Sequence, residues 1–532
     1  MKAVVVVVVA FCFGCVSTQQ VNKGGPDPRA GLPPLVDTSK KPEPPALRSV
    51  LRLSEKDPII NLRVVFQSGS ADDPAGKEGL TALAVQLMRE ATVDKDASAL
   101  ADALFPMAAE LTVQVDKDAV VFAGRCHKDH KDAFLRLFSD VLTRPRLDPK
   151  DFARLKDDAS AHLTSTLRRN SDEALQREAL EAVLYDTNAV LNGKPSEPPH
   201  PYRHTPAGTV AGLASITLDD VKSQLSRVLT QDRVVVGVGG GGDAALVSSL
   251  SEALRVLPAK SEVRASVPTP ELKLGPKLLV VDKPSAGTAI SLGFPVALSR
   301  THPDYAAMKL AETWFGEHRN LIGHLFHSMR EVRGLNYGDY AYVEHFVQEG
   351  WSSLERTNIP RRTQYFSMWI RPVEHKNRLF ALRMAAWELG NFVDKGIPDD
   401  ASFEGVKSFV QGYWKSKEQD PMRRLGYAVD DVLTGMPFDR EGMRARVKAL
   451  TRAEVNAAIA RHLQKQDVFF VVVTQDAAPM VKDIVDKKPS PITYAGKVDP
   501  SVLKEDEQIV GFDLGLQNDD VTVVSPQALF AQ

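Results

Sequence analysis

Residues of a type that could bind or react stand close together at three places in this chain. Gly237, Gly239 and Gly242 form a G-x-G-x-x-G after the β-branched run 234–236, with Glu262 twenty residues on, the order that suits a dinucleotide. That run closes a repeated unit instead of opening a βαβ unit, and its counterpart carries Val472, Thr474 and Asp476. The glycines therefore predict a strand-to-helix turn. Cys126, His127 and His130 offer thiol and imidazole donors, but Lys128 and Lys131 interleave with them and no second ligand pair follows at matching spacing. They are expected at the surface, where a strand passes into a helix. His324 and His327 lie one helical turn apart near Arg330 and lack a partner acid at ligand spacing on that helix, so they are expected to line a cleft.

An internal repeat organises the elements that hold these residues. From Ile216 the chain reads I-T-L-D-D-V-K-S-Q-L-S-R-V-L, and from Leu450 it reads L-T-R-A-E-V-N-A-A-I-A-R-H-L. Thr217 and Thr451, Val221 and Val455, Leu225 and Ile459, Arg227 and Arg461, and Leu229 and Leu463 pair at a constant offset of 234. Each copy predicts a Thr N-cap with an acid three residues on (Asp220, Glu454), an amphipathic helix and a β-branched strand. Two homologous modules in tandem follow, 47–266 and 267–480, with a tail, 481–532, that holds one strand-like run at 521–524. Strands are predicted at 61–67, 278–282, 288–294, 364–370 and 468–474, and a hairpin at 109–125 turning at Asp116, Lys117 and Asp118. Helices are predicted at 130–142, 149–167 and 172–185. After Gly79, the residues Leu80, Leu83, Ala84, Leu87 and Met88 recur at helical spacing and define the face that meets the core. Helices and strands come in runs without strict βαβ alternation. The fold class is therefore α+β, each module a mixed, largely antiparallel sheet covered by helices.

At roughly 100 to 200 residues per domain, 532 residues make two to four folding units. Lys and Arg number 66 against 68 Asp and Glu, a net charge of −2, with 43% apolar residues for a core. Without basic runs there is no phosphate-tracking surface, and nucleic acid is excluded as a partner. At the N-terminus, Lys2 precedes an apolar stretch, 3–13, too short for a bilayer, which takes about 20 residues. It ends in Phe13-Gly14-Cys15, a small residue before a cysteine, as in bacterial lipoprotein signals in which that cysteine is cleaved and acylated. Cys12 and Phe13 depart from the usual Leu and small residue. The reading is a signal peptide, 1–14, lipidation at Cys15, and a Pro- and Gly-rich tether, 15–46. The lipid anchor would hold the body at the periplasmic face of a bacterial membrane, as an outer-membrane lipoprotein. An ordinary signal peptide cut nearby is the alternative. A chain beginning at Cys15 keeps only Cys126 besides, so no pair is spare for an internal disulfide.

Between Gly69 and Met88 the chain reads G-S-A-D-D-P-A-G-K-E-G-L-T-A-L-A-V-Q-L-M. His200-Pro201-Tyr202 and Gly208-Thr209 follow, and later Met329-Arg330-Glu331-Val332-Arg333-Gly334-Leu335-Asn336-Tyr337. In this order the segments resemble the pitrilysin and insulinase family of zinc metallopeptidases, which includes the mitochondrial processing peptidase. They match the strand, glycine turn and helix of its inverted zinc motif H-x-x-E-H, its H-P-Y and downstream G-T, and its L-R-E-x-x-G-L-x-Y. The resemblance covers 47–475 and implies half of a four-module clamshell.

Laid on the family motif, the two zinc-ligand histidines fall on Ala82 and Gln86, the catalytic glutamate on Val85, and the third ligand at or near His162. Ala82 has no donor atom, Gln86 only a neutral amide, and Val85 cannot take a proton from metal-bound water. No zinc or other cofactor is expected in this chain. Arg330 and Tyr337 match the arginine and tyrosine that, in this family, reach from the C-terminal module to the zinc-bearing half. There a guanidinium and a phenol can donate hydrogen bonds to a substrate carbonyl and its oxyanion. Local pairing of Arg330 with Glu331 or Asp339 is the alternative.

The resemblance thus implies a non-catalytic, substrate-binding subunit of an exported, two-subunit zinc metalloendopeptidase. A partner subunit would carry an intact H-x-x-E-H and the zinc, and Arg330 and Tyr337 would act in trans on the enclosed peptide. The alternative is a scaffold or peptide-binding protein that kept the fold and lost the reaction. A self-sufficient metallopeptidase, which would hold stoichiometric zinc, ranks behind both.

Overall fold

Apolar runs build two mixed sheets. In the first, β1 (Arg48–Leu53), β2 (Ile59–Phe66), β3 (Glu110–Val115), β4 (Val120–His127) and β5 (Val234–Gly240) lie in the order β1-β5-β2-β4-β3. Only β1 and β5 are parallel. In the second, β6 (Lys277–Asp282), β7 (Thr288–Val296), β8 (Asp339–Tyr342), β9 (Gln364–Val373), β10 (Phe469–Thr474) and β11 (Val521–Val524) lie in the order β11-β6-β10-β7-β9-β8. The second order repeats the first strand for strand, with β11 added at the edge, parallel to β6. The fold is α+β, as the grouping of elements predicts. The computed structural model describes residues 46–350, 354–435, 440–494 and 496–531, and Leu47–Gln532 form one unit. The signal-like segment, Cys15 and the tether to 45 lie outside the described residues. Among the described residues no helix is long and apolar enough to cross a membrane.

The first module supplies α1 (Leu80–Glu90), α2 (Pro149–Ala161), α3 (Asp172–Tyr185) and α4 (Leu218–Val228). The second supplies α5 (Tyr305–Gly316), α6 (Asp400–Lys417), α7 (Pro421–Thr434) and α8 (Arg452–His462). α1 packs on α4 and α2 as α5 packs on α8 and α6. Both Thr caps form: Thr217 Oγ1 accepts from Asp220 N–H at 3.2 Å and Thr451 Oγ1 from Glu454 N–H at 3.3 Å. Each acid accepts the Thr N–H in return. The helix predicted at 149–167 is α-helical to Ala161 and then π-helical over His162–Asn170, and the wider turn brings Leu163, Leu167 and Arg168 inward together.

The modules exchange helices. α3 lies across β7 and β10 of the second sheet, and α7 lies across β5, β1 and β2 of the first. Each sheet is therefore covered on both faces, which is why β5 and β10 are buried without alternation. Glycines permit the approach: a Cβ on Gly237 would stand 3.0 Å from Val429 of α7, and one on Gly293 3.3 Å from Leu180 of α3. This corrects the reading of the G-x-G-x-x-G. Gly237 and Gly239 lie inside β5 and make room for α7, and only Gly242 belongs to the turn before Asp243, which caps the next helix. Beyond β11 the chain returns to the first module, where Leu529 and Phe530 share a core with Leu80, Leu83 and Leu167. Arg168 Nε donates to Leu529 O at 2.9 Å, and the N–H groups of Val210 and Ala211 donate to Phe530 O and Ala531 O at 2.9 and 3.0 Å.

Candidate functional site

Helix α1 begins at a glycine in the left-handed region, Gly79 at φ +99°, and Asp73 holds its first turn. The N–H groups of Gly79 and Thr81 each donate to the Asp73 carboxylate at 2.8 Å, and Thr81 Oγ1 donates at 2.6 Å. Burial pushes that carboxyl up to about 7 against the pull of these bonds. Gly208, at φ +91°, comes so near that a Cβ would stand 2.2 Å from Glu78 O, which accounts for the glycine of the G-T pair. Leu80, Leu83, Ala84, Leu87 and Met88 are buried as the spacing predicts. Val85 is wholly buried with them, whereas Ala82 and Gln86 are half-buried, one turn apart on one face. His162 is exposed where the π-helical stretch begins. A methyl, a buried isopropyl group, a neutral amide and a lone imidazole do not fit a zinc ion, and the isopropyl group at the base position cannot take a proton from water.

Arg330 and Tyr337 come together on the second module. The Arg330 guanidinium stacks 4.6 Å from the Phe326 ring and 4.4 Å from the Tyr337 ring, and Tyr337 is 70% exposed. Neither local acid binds Arg330: Glu331 pairs with His327 at 2.8 Å, and Asp339 accepts from Asn336 Nδ2 at 2.6 Å. Burial pushes the Asp339 carboxyl up to about 8, opposed by the Asn336 hydrogen bond and the Arg330 and Arg371 charges. Arg371, 5.8 Å from the Tyr337 ring, pairs with Glu173 of α3 at 3.0 Å and links this ledge to the first module. Arg333, three residues from Arg330, turns inward, binding Asp506 at 2.8 Å and Glu505 at 2.6 Å. Nothing in the local sequence separates the arginine that anchors from the one that is presented.

The hairpin turn Asp116-Lys117-Asp118, where charge would ordinarily face water, is buried in an ionic centre between the modules. Arg361 binds Asp116 at 2.6 Å and Glu181 of α3 at 2.9 Å, and Lys117 binds Glu181 at 3.2 Å. Asp118 accepts from Arg264 Nη2 at 2.7 Å, Arg362 Nε at 3.0 Å and the Tyr202 hydroxyl. The H-P-Y segment thus supplies a structural phenol: Tyr202 is fully buried, with its ring edge-on to Tyr185 at 5.2 Å. Burial alone would raise the three carboxyls, and the neighbouring guanidinium groups overcome it. Asp116 and Asp118 stay below the usual range and Glu181 well below.

Two expectations are corrected. Cys126 is not at the surface: it takes an inward position on β4, and burial pushes its thiol up to about 11. The helix bearing His324 and His327 does supply an acid, Glu331, which pairs with His327. His324 stacks on Trp314 at 4.9 Å and pairs with Glu388 at 2.7 Å.

Two tandem modules of one topology, with the metal helix stripped of donors, define a metallopeptidase-type fold without its metal site. The model of the insulinase family (peptidase family M16) matches residues 48–192, and that of the peptidase M16 inactive domain matches 215–355, together more than half of the chain. The chain belongs to peptidase family M16. It is 20% identical over 424 residues to the non-peptidase homolog YmxG of Helicobacter pylori, covering 78% of this chain and 89% of that one. It is 23% identical over 444 residues to an uncharacterized zinc protease of Mycobacterium tuberculosis, covering 82% and 92%. Its fold matches the crystal structure of a peptidase M16 inactive domain from Pseudomonas fluorescens with a TM-score of 0.69, at 21% identity, over 81% of this chain and 96% of that one.

Proposed function

We propose that this chain is the non-catalytic, substrate-binding subunit of a two-subunit zinc metalloendopeptidase, whose partner carries an intact H-x-x-E-H and the zinc. One contrast within the chain carries the reading. α1 holds Ala82, Val85 and Gln86 where ligands and base belong, yet Arg330 and Tyr337 stay stacked at 4.4 Å, with Arg330 outside any ion pair among the described residues. A guanidinium and a phenol so presented suit a substrate carbonyl and the oxyanion that forms on it. The peptide would lie between subunits. The cavity lined by Arg300, Lys309, Glu344 and Lys417 measures about 40 Å³, room for a few water molecules only. In this reading Cys15 is acylated and the tether holds the pair at the periplasmic face of a bacterial outer membrane, which rests on the sequence of 1–46 alone.

Peptide cleavage by the purified chain, by an H-x-x-E-H partner and by their mixture tests the proposal. Activity is expected to need the mixture and to fall by about 10²- to 10³-fold with Arg330→Ala. Tyr337→Phe should also lower it, and undiminished cleavage with both variants would overturn the reading. A scaffold without any part in hydrolysis is the second reading, favoured by the description of its relative as a non-peptidase homolog. It predicts a stable complex whose cleavage ignores both substitutions.

A further inference from the structure

His302, Asp304 and His462 lie outside the Arg330–Tyr337 ledge, and each offers a ligand atom within 4.8 Å of the others. They meet where α5 begins and α8 ends. His462 Nε2 lies 2.8 Å from Asp304 Oδ2, and the two imidazole rings meet edge-on with centroids 4.7 Å apart. His302 is held by its own turn, where its Nδ1 accepts Asp304 N–H at 3.1 Å. Arg461 grips the Asp304 carboxylate through Nε and Nη2, each at 3.0 Å.

The internal repeat separates what the joint needs from what has been added to it. Arg461 corresponds to Arg227, which likewise reaches from the end of α4 to the segment before α1, donating to Asp72 O at 3.3 Å. An arginine reaching across this joint is therefore common to both modules, meeting a main-chain carbonyl in the first and a carboxylate in the second. His462 corresponds by the same offset to Val228, which is fully buried, and no histidine stands between β2 and α1. Packing at this joint is achieved without imidazole. The second module alone adds two imidazoles beside one carboxylate.

We infer that His302, Asp304 and His462 bind a divalent transition-metal ion, with Zn²⁺ the best match to the donors and one position left to water or a further ligand. Two imidazoles and a carboxylate suit zinc, whereas magnesium and calcium take oxygen donors. Bonds of about 2.0 to 2.2 Å to a tetrahedral ion place ligand atoms about 3.4 Å apart, so atoms already within 4.8 Å close on it by side-chain rotation alone. Arg461 then serves as the outer donor that orients the carboxylate.

Equilibrium dialysis of the full chain against Zn²⁺ alone, with the metal counted by elemental analysis, tests the site. One ion per chain is expected. His462→Val installs the first module's residue and keeps the arginine clasp, and it should weaken binding by about ten-fold or more, as should His302→Ala. His162→Ala, at the vestigial position, should leave binding intact. Zn²⁺ should raise the thermal midpoint of the wild type and not of His462→Val. Absence of saturable binding, or binding that both His302→Ala and His462→Val leave unchanged, would overturn the inference.

Discussion

Replacing Arg361 with alanine should split the ionic centre that joins the modules. The side chain is 1% exposed and bridges Asp116 on the β3–β4 turn and Glu181 on α3, so the variant leaves two buried carboxylates, Glu181 with Lys117 and His345 each at 3.2 Å and Asp116 with His345 at 3.9 Å. Removing one partner of a buried pair costs about 3–5 kcal/mol, because the charge left behind stays desolvated. For a unit as long as Leu47–Gln532 the entropy of unfolding is about 1 kcal/mol/K, so the thermal midpoint should fall by about 3–5 °C. The dependence on pH is the sharper test. In the folded chain burial pushes the Asp116 and Glu181 carboxyls up, and Arg361, first among the opposing groups, holds both below their ordinary values. Groups lowered in this way stabilise the fold above their unfolded pKa of about 4, and that stability is lost as the pH falls through the folded value. Without Arg361 the first of the opposing charges is gone and both carboxyls rise, Asp116 keeping His345 and Glu181 keeping Lys117 and His345 against burial. The variant therefore has less stability to lose on acidification than the wild type. Calorimetry on both proteins from about pH 8 down to about pH 5 should show a gap that narrows as the pH falls. A gap below about 1 kcal/mol at neutral pH, or one that widens in acid, would refute the reasoning.

Asp339 carries the opposite sign. Its folded carboxyl is raised to about 8 by burial, so the folded chain keeps a proton that the unfolded chain sheds near pH 4, and this group's stabilisation falls as the pH rises between those values. Asp339→Asn keeps the acceptor for Asn336 and should remove that slope, which urea midpoints at acidic and mildly basic pH would reveal. Gly208→Ala should cost about 3 kcal/mol or more, since a left-handed φ combines with a Cβ 2.2 Å from Glu78 O. Gly193→Ala, also left-handed but with nothing within 4 Å, should cost only about 1–2 kcal/mol, and thermal midpoints of the two variants give the comparison.

Short-range patterns translated directly into structure. The Thr caps of α4 and α8, the buried face of α1, the hairpin turn and β11 each depend on residues a few positions apart, and the repeat offset reappears as one strand order used twice. The lack of donors on α1 is equally local, because a donor is either on that face or missing from it. Spacing could not say which charges would be buried. Asp116, Lys117 and Asp118 look like a solvated turn until Arg361 and Glu181 arrive from distant segments, and Arg333 differs from Arg330 only through Glu505 and Asp506. Cys126, the glycines under α7 and the joining of His302 with His462 follow the same rule. Backbone propensity and amphipathic period act over one or two turns and so can be read along the chain. The burial of a polar group is decided by whether a partner from elsewhere offsets its desolvation, and that partner is known only once the two modules have folded against each other.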